Sequence, residues 1–325
     1  MKTDRISTSS ARRVRAGAER EGQRLDNFLL RELGDVPRSR VYRLLRRGEV
    51  RVNGKRKQPD YRLAADDLVR LPPVRERPAP VEGTRRPPDA LLAEVSAAIV
   101  YEDERLLVLN KPAGLAVHGG SGLTFGAIEA LRALRPEESL ELVHRLDRDT
   151  SGCLLVARKR SALRTLHGLL REGRVEKRYA ALVAGRWRLG RKTIDAPVLT
   201  NVRQGGERVV RVHAAGKIAL SEFRPVEHYR DFATLMDVVI RTGRTHQIRV
   251  HAAFAGHPIA GDEKYGDREF STRLREFGLR RMFLHAASVA FTWPESGEPF
   301  RIAATLPADL AKVLQDLPSG SAAQR

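Results

Sequence analysis

Nine consecutive residues, His144-Arg145-Leu146-Asp147-Arg148-Asp149-Thr150-Ser151-Gly152, hold a histidine, two arginines and two aspartates. Burial alone favours a protonated acid, whereas adjacent guanidinium groups favour the acceptor-only carboxylate. An ionised, partly desolvated carboxylate is what a nucleophilic or general-base role requires. The same residues also suit a surface loop closed by Asp–Arg pairs and an Asx or ST turn, and their chemistry alone leaves both readings open. Three more stretches gather functional side chains. In Glu176–Val183, Tyr179 enters an apolar strand just behind two cations. It could stack on a base and relay a proton, or serve as an ordinary strand aromatic. Arg241–His251 reads as a strand end, a turn at Thr242-Gly243 and a helix start, with Thr245 a candidate N-cap. Arginine beside a helix N-terminus suits a carboxylate or phosphate, although a basic helix on a basic protein needs no ligand. Pro258–Gly266 is rich in turn formers, and neither it nor Phe283-Leu284-His285-Ala286 points to chemistry by itself.

These side chains need rigid elements behind them. Leu142-Val143 and Leu154-Leu155-Val156 read as two buried strands, with the nine polar-rich residues looping between them. Short apolar runs continue at Ile99–Tyr101, Leu106–Leu109, Cys153–Ala157, Tyr179–Val183, Val209–Val212, Ser221–Val226 and Ala233–Ile240. Helices fit Thr124–Leu134, Ser161–Arg171 and the segment after Pro307. Helices are too few for βαβ alternation, so residues 97–317 form an α+β domain with a mixed, largely antiparallel sheet and helices packed outside it. Residues 318–325 read as a tail. Upstream, Leu25, Phe28, Leu29 and Leu33 recur at helical spacing, and a second helix runs from Pro37 to Gly48 around Val41, Leu44 and Leu45. Asn53-Gly54 then signals a hairpin. Residues 21–72 thus form a small α+β domain, 73–96 a proline-rich linker, and 1–20 a disordered basic arm.

The 325 residues carry a formal charge of +19. Such an excess points to a polyanionic partner, and its arginine content suits phosphate and bases. Between Pro37 and Lys57 there are nine Lys or Arg and one Glu, with Arg40, Arg43 and Arg47 on one outer helix face and Lys55 in the turn beyond. That single-sign face suggests phosphate contact. No apolar run approaches a membrane span, and no signal-peptide core follows the N-terminus. The lone Cys153 excludes an intrachain disulfide, reads as a small core residue, and suits a reducing compartment such as the cytoplasm. Walker A, Gly-x-Ser-x-Gly and His-Glu-x-x-His patterns are absent, cysteine is too scarce for a zinc cluster, and no cofactor or metal is called for.

The nonapeptide resembles the signature of the large-subunit-type pseudouridine synthases. Leu-Asn-Lys-Pro-Ala-Gly (109–114), Lys-Arg-Tyr-Ala-Ala-Leu-Val (177–183) and Arg-Thr-Gly-Arg-Thr-His-Gln-Ile-Arg-Val-His (241–251) are similar to the family's other motifs, in the expected order. The N-terminal helices and hairpin resemble an S4 module, which binds structured RNA by backbone and shape. The resemblance implies isomerisation of uridine to pseudouridine in 23S ribosomal RNA or a large-subunit assembly intermediate, by a monomer without cofactor. It makes Asp147 the nucleophile and Tyr179 the stacking residue and proton abstractor. It gives Arg244 an ion pair with Asp147 and puts Arg145 in the place the extruded uridine leaves. Ile248 and Leu284 would line the pocket. Two other readings remain: an RNA-binding or assembly protein that kept the fold, and an RNase using His118 or His144.

Overall fold

The structure, a computed structural model, describes residues 11–34, 36, 38–73, 86–120, 124–204 and 207–318. The chain divides into two compact units, Met1–Arg85 and Arg86–Arg325.

In the first unit, β1 (Arg12–Arg15), α1 (Leu25–Glu32), α2 (Arg38–Arg47), β2 (Arg51–Val52) and β3 (Leu68–Leu71) follow in order. Leu25, Phe28 and Leu29 of α1 meet Val41, Leu44 and Leu45 of α2 over Val52, Val69 and Leu71 of a three-stranded sheet. The expected disordered arm is corrected here. Arg12–Arg15 pairs antiparallel with β3, and Ala16 is fully buried behind it. Ladder hydrogen bonds come from the backbone, so an arginine-rich strand can close a sheet edge while Val14 and Ala16 face the core. Residues 1–10 lie outside the described residues. Asn53 and Gly54 take the positive φ values, 49° and 77°, that a tight hairpin turn requires. The turn leads only to a bridge between Val52 and Lys55, however, and the ladder partner of β2 is β3.

The second unit begins inside the expected linker, whose residues 74–85 lie outside the described residues. Its end is helical: α3 (Asp89–Ala97) buries Leu92 and Val95 in the main core. Those side chains lie three apart on one helix face, a pattern the neighbouring prolines obscure. There follow β4 (Ile99–Glu102), β5 (Leu106–Lys111), α4 (Ala127–Leu134), β6 (Glu141–Leu142), β7 (Ser151–Ala157), α5 (Arg160–Arg171) and β8 (Glu176–Ala184). Next come β9 (Lys192–Asp195), β10 (Val198–Gln204), β11 (Glu207–Val212), β12 (Leu220–Tyr229), β13 (Ala233–Ile240) and α6 (Gln247–Phe254). The chain ends with α7 (Arg268–Leu274), β14 (Leu284–Thr292), β15 (Pro299–Ala303) and α8 (Ala308–Asp316).

A ten-stranded sheet runs β4-β5-β7-β14-β8-β13-β12-β9, with β15 added to β14 and β6 to β7. The expected mixed, mainly antiparallel sheet is what forms, with β7 and β14 its parallel pair among the described strands. The central strands are covered on both faces. Leu154 and Val156 of β7 face one core, while Cys153, Leu155 and Ala157 face the other, beneath α5. Two-sided burial is why β5 and β7 read as unbroken apolar runs rather than alternating ones. β10 and β11 form a separate two-stranded hairpin. No described helix is long and apolar enough to cross a membrane.

At the head of β7, Gly152 has φ +109°, and a Cβ there would lie 2.2 Å from the Ala286 carbonyl oxygen of β14. Gly152→Ala should therefore cost about 2–4 kcal/mol of stability, read as a lowered denaturation midpoint. An unchanged midpoint would mean that the two strands can separate locally at no cost.

Candidate active site

The polar loop is rooted in the β6–β7 hairpin, where Leu142 pairs with Val156. The His144 imidazole extends that ladder, its Nε2 accepting the Leu155 N–H at 3.1 Å. Burial pulls this histidine down to about 4, so it remains a neutral acceptor. At the loop's tip the Thr150 N–H donates to the Asp147 carbonyl, and the Arg148 carbonyl accepts from Gly114 N and Lys111 Nζ, at 2.9 and 3.0 Å. Lys111 is fully buried and donates also to the Pro112 and Leu115 carbonyls. Three acceptors match the three donors of an ammonium group. Burial pulls Lys111 down to about 7, and the negative charges of Asp149 and Asp147 act in the opposite direction. The loop carrying Asp147 is thus tied to the Lys-Pro-Ala-Gly turn through backbone carbonyls.

Asp147 opens into a cleft lined also by Arg145, Tyr179, Arg244, His246, Ile248, Arg249 and Leu284. The six catalytic-domain residues singled out by sequence come together there. Tyr179 is buried in β8 beside β14, with Ala286 opposite Tyr179 and Leu284 opposite Ala181. Burial, reinforced by Asp147, pushes the Tyr179 phenol well above its ordinary value, so it stays protonated at neutral pH.

One expected contact differs. Arg244 is exposed and its Nε donates to the Ile218 carbonyl, whereas the cation beside Asp147 is Arg249, whose Nη1 lies 3.5 Å from Asp147 Oδ2. The reason is the path of the chain. Arg244 precedes α6, in the turn that Gln247 closes by accepting the Arg244 N–H and the Thr242 hydroxyl. Arg249 stands inside α6, on the face turned toward the loop. Gln247 also donates to the Leu220 carbonyl and Ser221, and His251 bonds Ser221 and the Ala196 carbonyl, fastening α6 to the sheet edge. Thr245 is likewise not the N-cap; that position is His246, in the left-handed region at φ 54°, ψ 21°.

Arg249 is held from behind. Its Nε and Nη2 each make a 2.7 Å bond to Asp262, whose Oδ1 also accepts the backbone N–H of Lys264 and Tyr265. Burial would push the Asp262 carboxyl up, but the paired guanidinium and these amides bring it below its usual value. The Pro258–Gly266 loop, silent as a sequence, therefore supports the site from outside the cleft by holding Arg249. Its partnership with Arg249 spans 13 positions and a helix end, so no local motif announces it.

His118 and His144 do not line the cleft, and His144 is committed to the backbone, which leaves the RNase reading without an acid–base pair. Among the described residues no cluster of three or more His, Cys, Asp or Glu could hold a metal. In the first unit, Arg43, Arg47 and Lys55 are exposed and Arg40 is partly so, with Glu49 3.9 Å from Arg47.

A sheet-rooted aspartate facing a buried tyrosine and a clamped arginine, carried with a small basic module, has a counterpart among known proteins. Residues 105–254 match the RNA pseudouridylate synthase family, and residues 23–69 match the S4 domain. This chain belongs to the pseudouridine synthase family, isomerases that convert uridine in RNA to pseudouridine. It is 56% identical to ribosomal large subunit pseudouridine synthase C of Salmonella typhimurium, over 98% of this chain and 99% of that protein. The Escherichia coli K12 protein of the same name is 55% identical over the same shares. The solved structure of human RNA pseudouridylate synthase domain containing 4 superposes with a TM-score of 0.58 at 25% identity, covering 70% of this chain and 96% of that one.

The two arginines should separate cleanly on substitution. Arg249→Met leaves the Asp262 carboxylate buried without its partner and should cost about 3–5 kcal/mol of stability. Arg244→Met, at an exposed position, should stay within about 0.5 kcal/mol of wild type. Chemical denaturation of both variants checks this, and equal midpoints would deny Arg249 its structural role.

Proposed function

We propose that this chain isomerises uridines of large-subunit (23S) ribosomal RNA to pseudouridine, with Asp147 as nucleophile and the target base flipped out of its helix. The observation that carries the reading is the placement of one carboxylate between a guanidinium and an aromatic-and-aliphatic pocket, of Tyr179, Ile248 and Leu284. A uridine stacked in a helix offers neither C1′ nor C6 to such a group, so it must be extruded, at a cost of a few kcal/mol. Arg145, which is exposed and lines the cleft, would fill the vacated stack. Asp147 attacks C1′ or C6 and the N1–C1′ bond breaks. The uracil then turns in the pocket, C5 bonds to C1′, and the bond to Asp147 breaks, its electron pair returning to the carboxylate. Loss of the C5 proton and gain of one at N1 leave an isomer of unchanged mass. The phenol of Tyr179 stacks on the base and, being neutral, can take the C5 proton only as it passes its own onward. Holding the free uracil is a matter of positioning, suited to an apolar pocket with few polar groups.

The ribosomal target is supported by the names of the relatives and by the S4 module, whose basic helix face would bind RNA through phosphate and shape. The reaction calls on no redox equivalent or phosphoryl donor, in keeping with a cytoplasmic enzyme that needs no cofactor. A purely binding relative would have no use for a clamped carboxylate opening into an apolar pocket.

Pseudouridine mapping of ribosomal RNA from cells with and without the protein tests the substrate. Specific large-subunit sites should revert to uridine in its absence; an unchanged modification map would refute the reading. The S4 face is tested by Arg40→Glu, Arg43→Glu, Arg47→Glu, since these side chains lie off the Val41–Leu44–Leu45 stripe. The slope of log affinity against log salt should become shallower by about one per lost phosphate contact, while turnover on a saturating minimal substrate changes little. An unaltered slope would remove this helix from the RNA interface.

A further inference from the structure

Tyr265 is not among the residues to which the proposed chemistry assigns a part, yet it touches both partners of Asp147. The Arg249 guanidinium carbon lies 5.0 Å from the centre of its ring, over its face. Its hydroxyl oxygen lies 2.8 Å from His246 Nδ1 and accepts the Val210 backbone N–H at 3.0 Å. The hydroxyl has one proton to donate, and with Nδ1 as its acceptor the imidazole proton sits on Nε2, which faces Asp147 Oδ2 at 3.8 Å. Desolvation holds this histidine below its ordinary value, in the same neutral form. The backbone points the same way. His246 sits at φ 54°, in the left-handed region that a non-glycine residue enters only at a cost of about 1–2 kcal/mol. It does so at a helix start where its side chain caps nothing. The conformation does, however, place the ring between Tyr265 and Asp147.

We propose that Tyr265 and His246 are positioning residues for Asp147: the Tyr265 hydroxyl fixes His246 as the Nε2–H tautomer, and that N–H closes on the carboxylate as a second donor beside Arg249 when RNA is bound. The inference deepens the reading of Asp147 as nucleophile and rests on it. It gives the Gly-Asp-Glu-Lys-Tyr-Gly loop a defined role, in which Asp262 clamps Arg249 and Tyr265 clamps His246. A carboxylate with two fixed donors keeps one oxygen aimed at the sugar or base, whereas one held only at 3.5 Å can rotate.

Nitrogen-15 NMR of the full chain, labelled at histidine and assigned by loss of the signal in His246→Gln, reads the tautomer without any activity. Nδ1 should resonate as an unprotonated nitrogen and Nε2 as a protonated one, and Tyr265→Phe should mix the two forms. Turnover then tests the donor. Tyr265→Phe should lower kcat by roughly ten- to a hundredfold, as for one hydrogen bond to a charged group, with KM for RNA nearly unchanged. Glutamine reproduces a donor at the Nε2 position and asparagine does not, yet asparagine accepts the left-handed backbone better. His246→Gln should therefore retain more turnover than His246→Asn. A protonated Nδ1 in wild type, or asparagine outperforming glutamine, would overturn the inference. Absence of pseudouridine formation in wild type would instead strike the functional reading, while the NMR result still decides the tautomer.

Discussion

The pairing of Arg249 with Asp262 is the contact on which the site depends. Both side chains are almost wholly out of water, at 9% and 0% exposure, and each would be strongly destabilising there alone. Together they form a two-pronged bond in which every Asp262 oxygen is occupied, partly by backbone amides of its own loop. A charge fixed in this way cannot swing into solvent. Its remaining nitrogen reaches Asp147, so the field beside the carboxylate exists before any RNA arrives and needs no rearrangement during the reaction.

A second constraint operates from the opposite side of Asp147. The loop from Arg145 to Thr150 contains no regular structure, yet it is held at the Arg148 carbonyl by Lys111 and Gly114 and at its base by His144 within the β6–β7 ladder. β7 beneath it is buried on two faces, which resists tilting of the hairpin. Asp147 is therefore aimed by the large sheet through β7 and by α6 through Arg249. Neither structure could fix the angle between carboxylate and pocket by itself, because rotation of the loop about the hairpin axis would remain.

Much of this was legible in the amino-acid order. Two-sided burial makes β5 and β7 stand out as apolar runs, and the pocket residues expected from sequence, all but Leu284, lie inside motifs that carry a family resemblance. What stayed hidden has a common cause. The ion pair expected for Arg244 belongs to Arg249, five positions on, because the Thr242–Gln247 turn points the first arginine outward and only helix geometry turns the second inward. Asp262 and Tyr265 sit in a segment whose composition signals nothing beyond turns. Their importance lies in contacts across 13 to 19 positions, which no local periodicity encodes. The strand Arg12–Arg15 and the helix Asp89–Ala97 were obscured by flanking charge and proline, since composition describes a neighbourhood and pairing is decided residue by residue.

The central claim is that the Asp147 carboxylate, and not its volume or its loop, performs the chemistry. Single-turnover release of tritium from large-subunit RNA carrying uridine labelled at C5 measures it directly, since pseudouridine forms only as that hydrogen leaves. Wild type should release the label. Asp147→Asn, which keeps the shape and removes the charge, should bind the same RNA with nearly the same affinity and release none above background. Release by the asparagine variant at a rate near that of wild type would contradict the account.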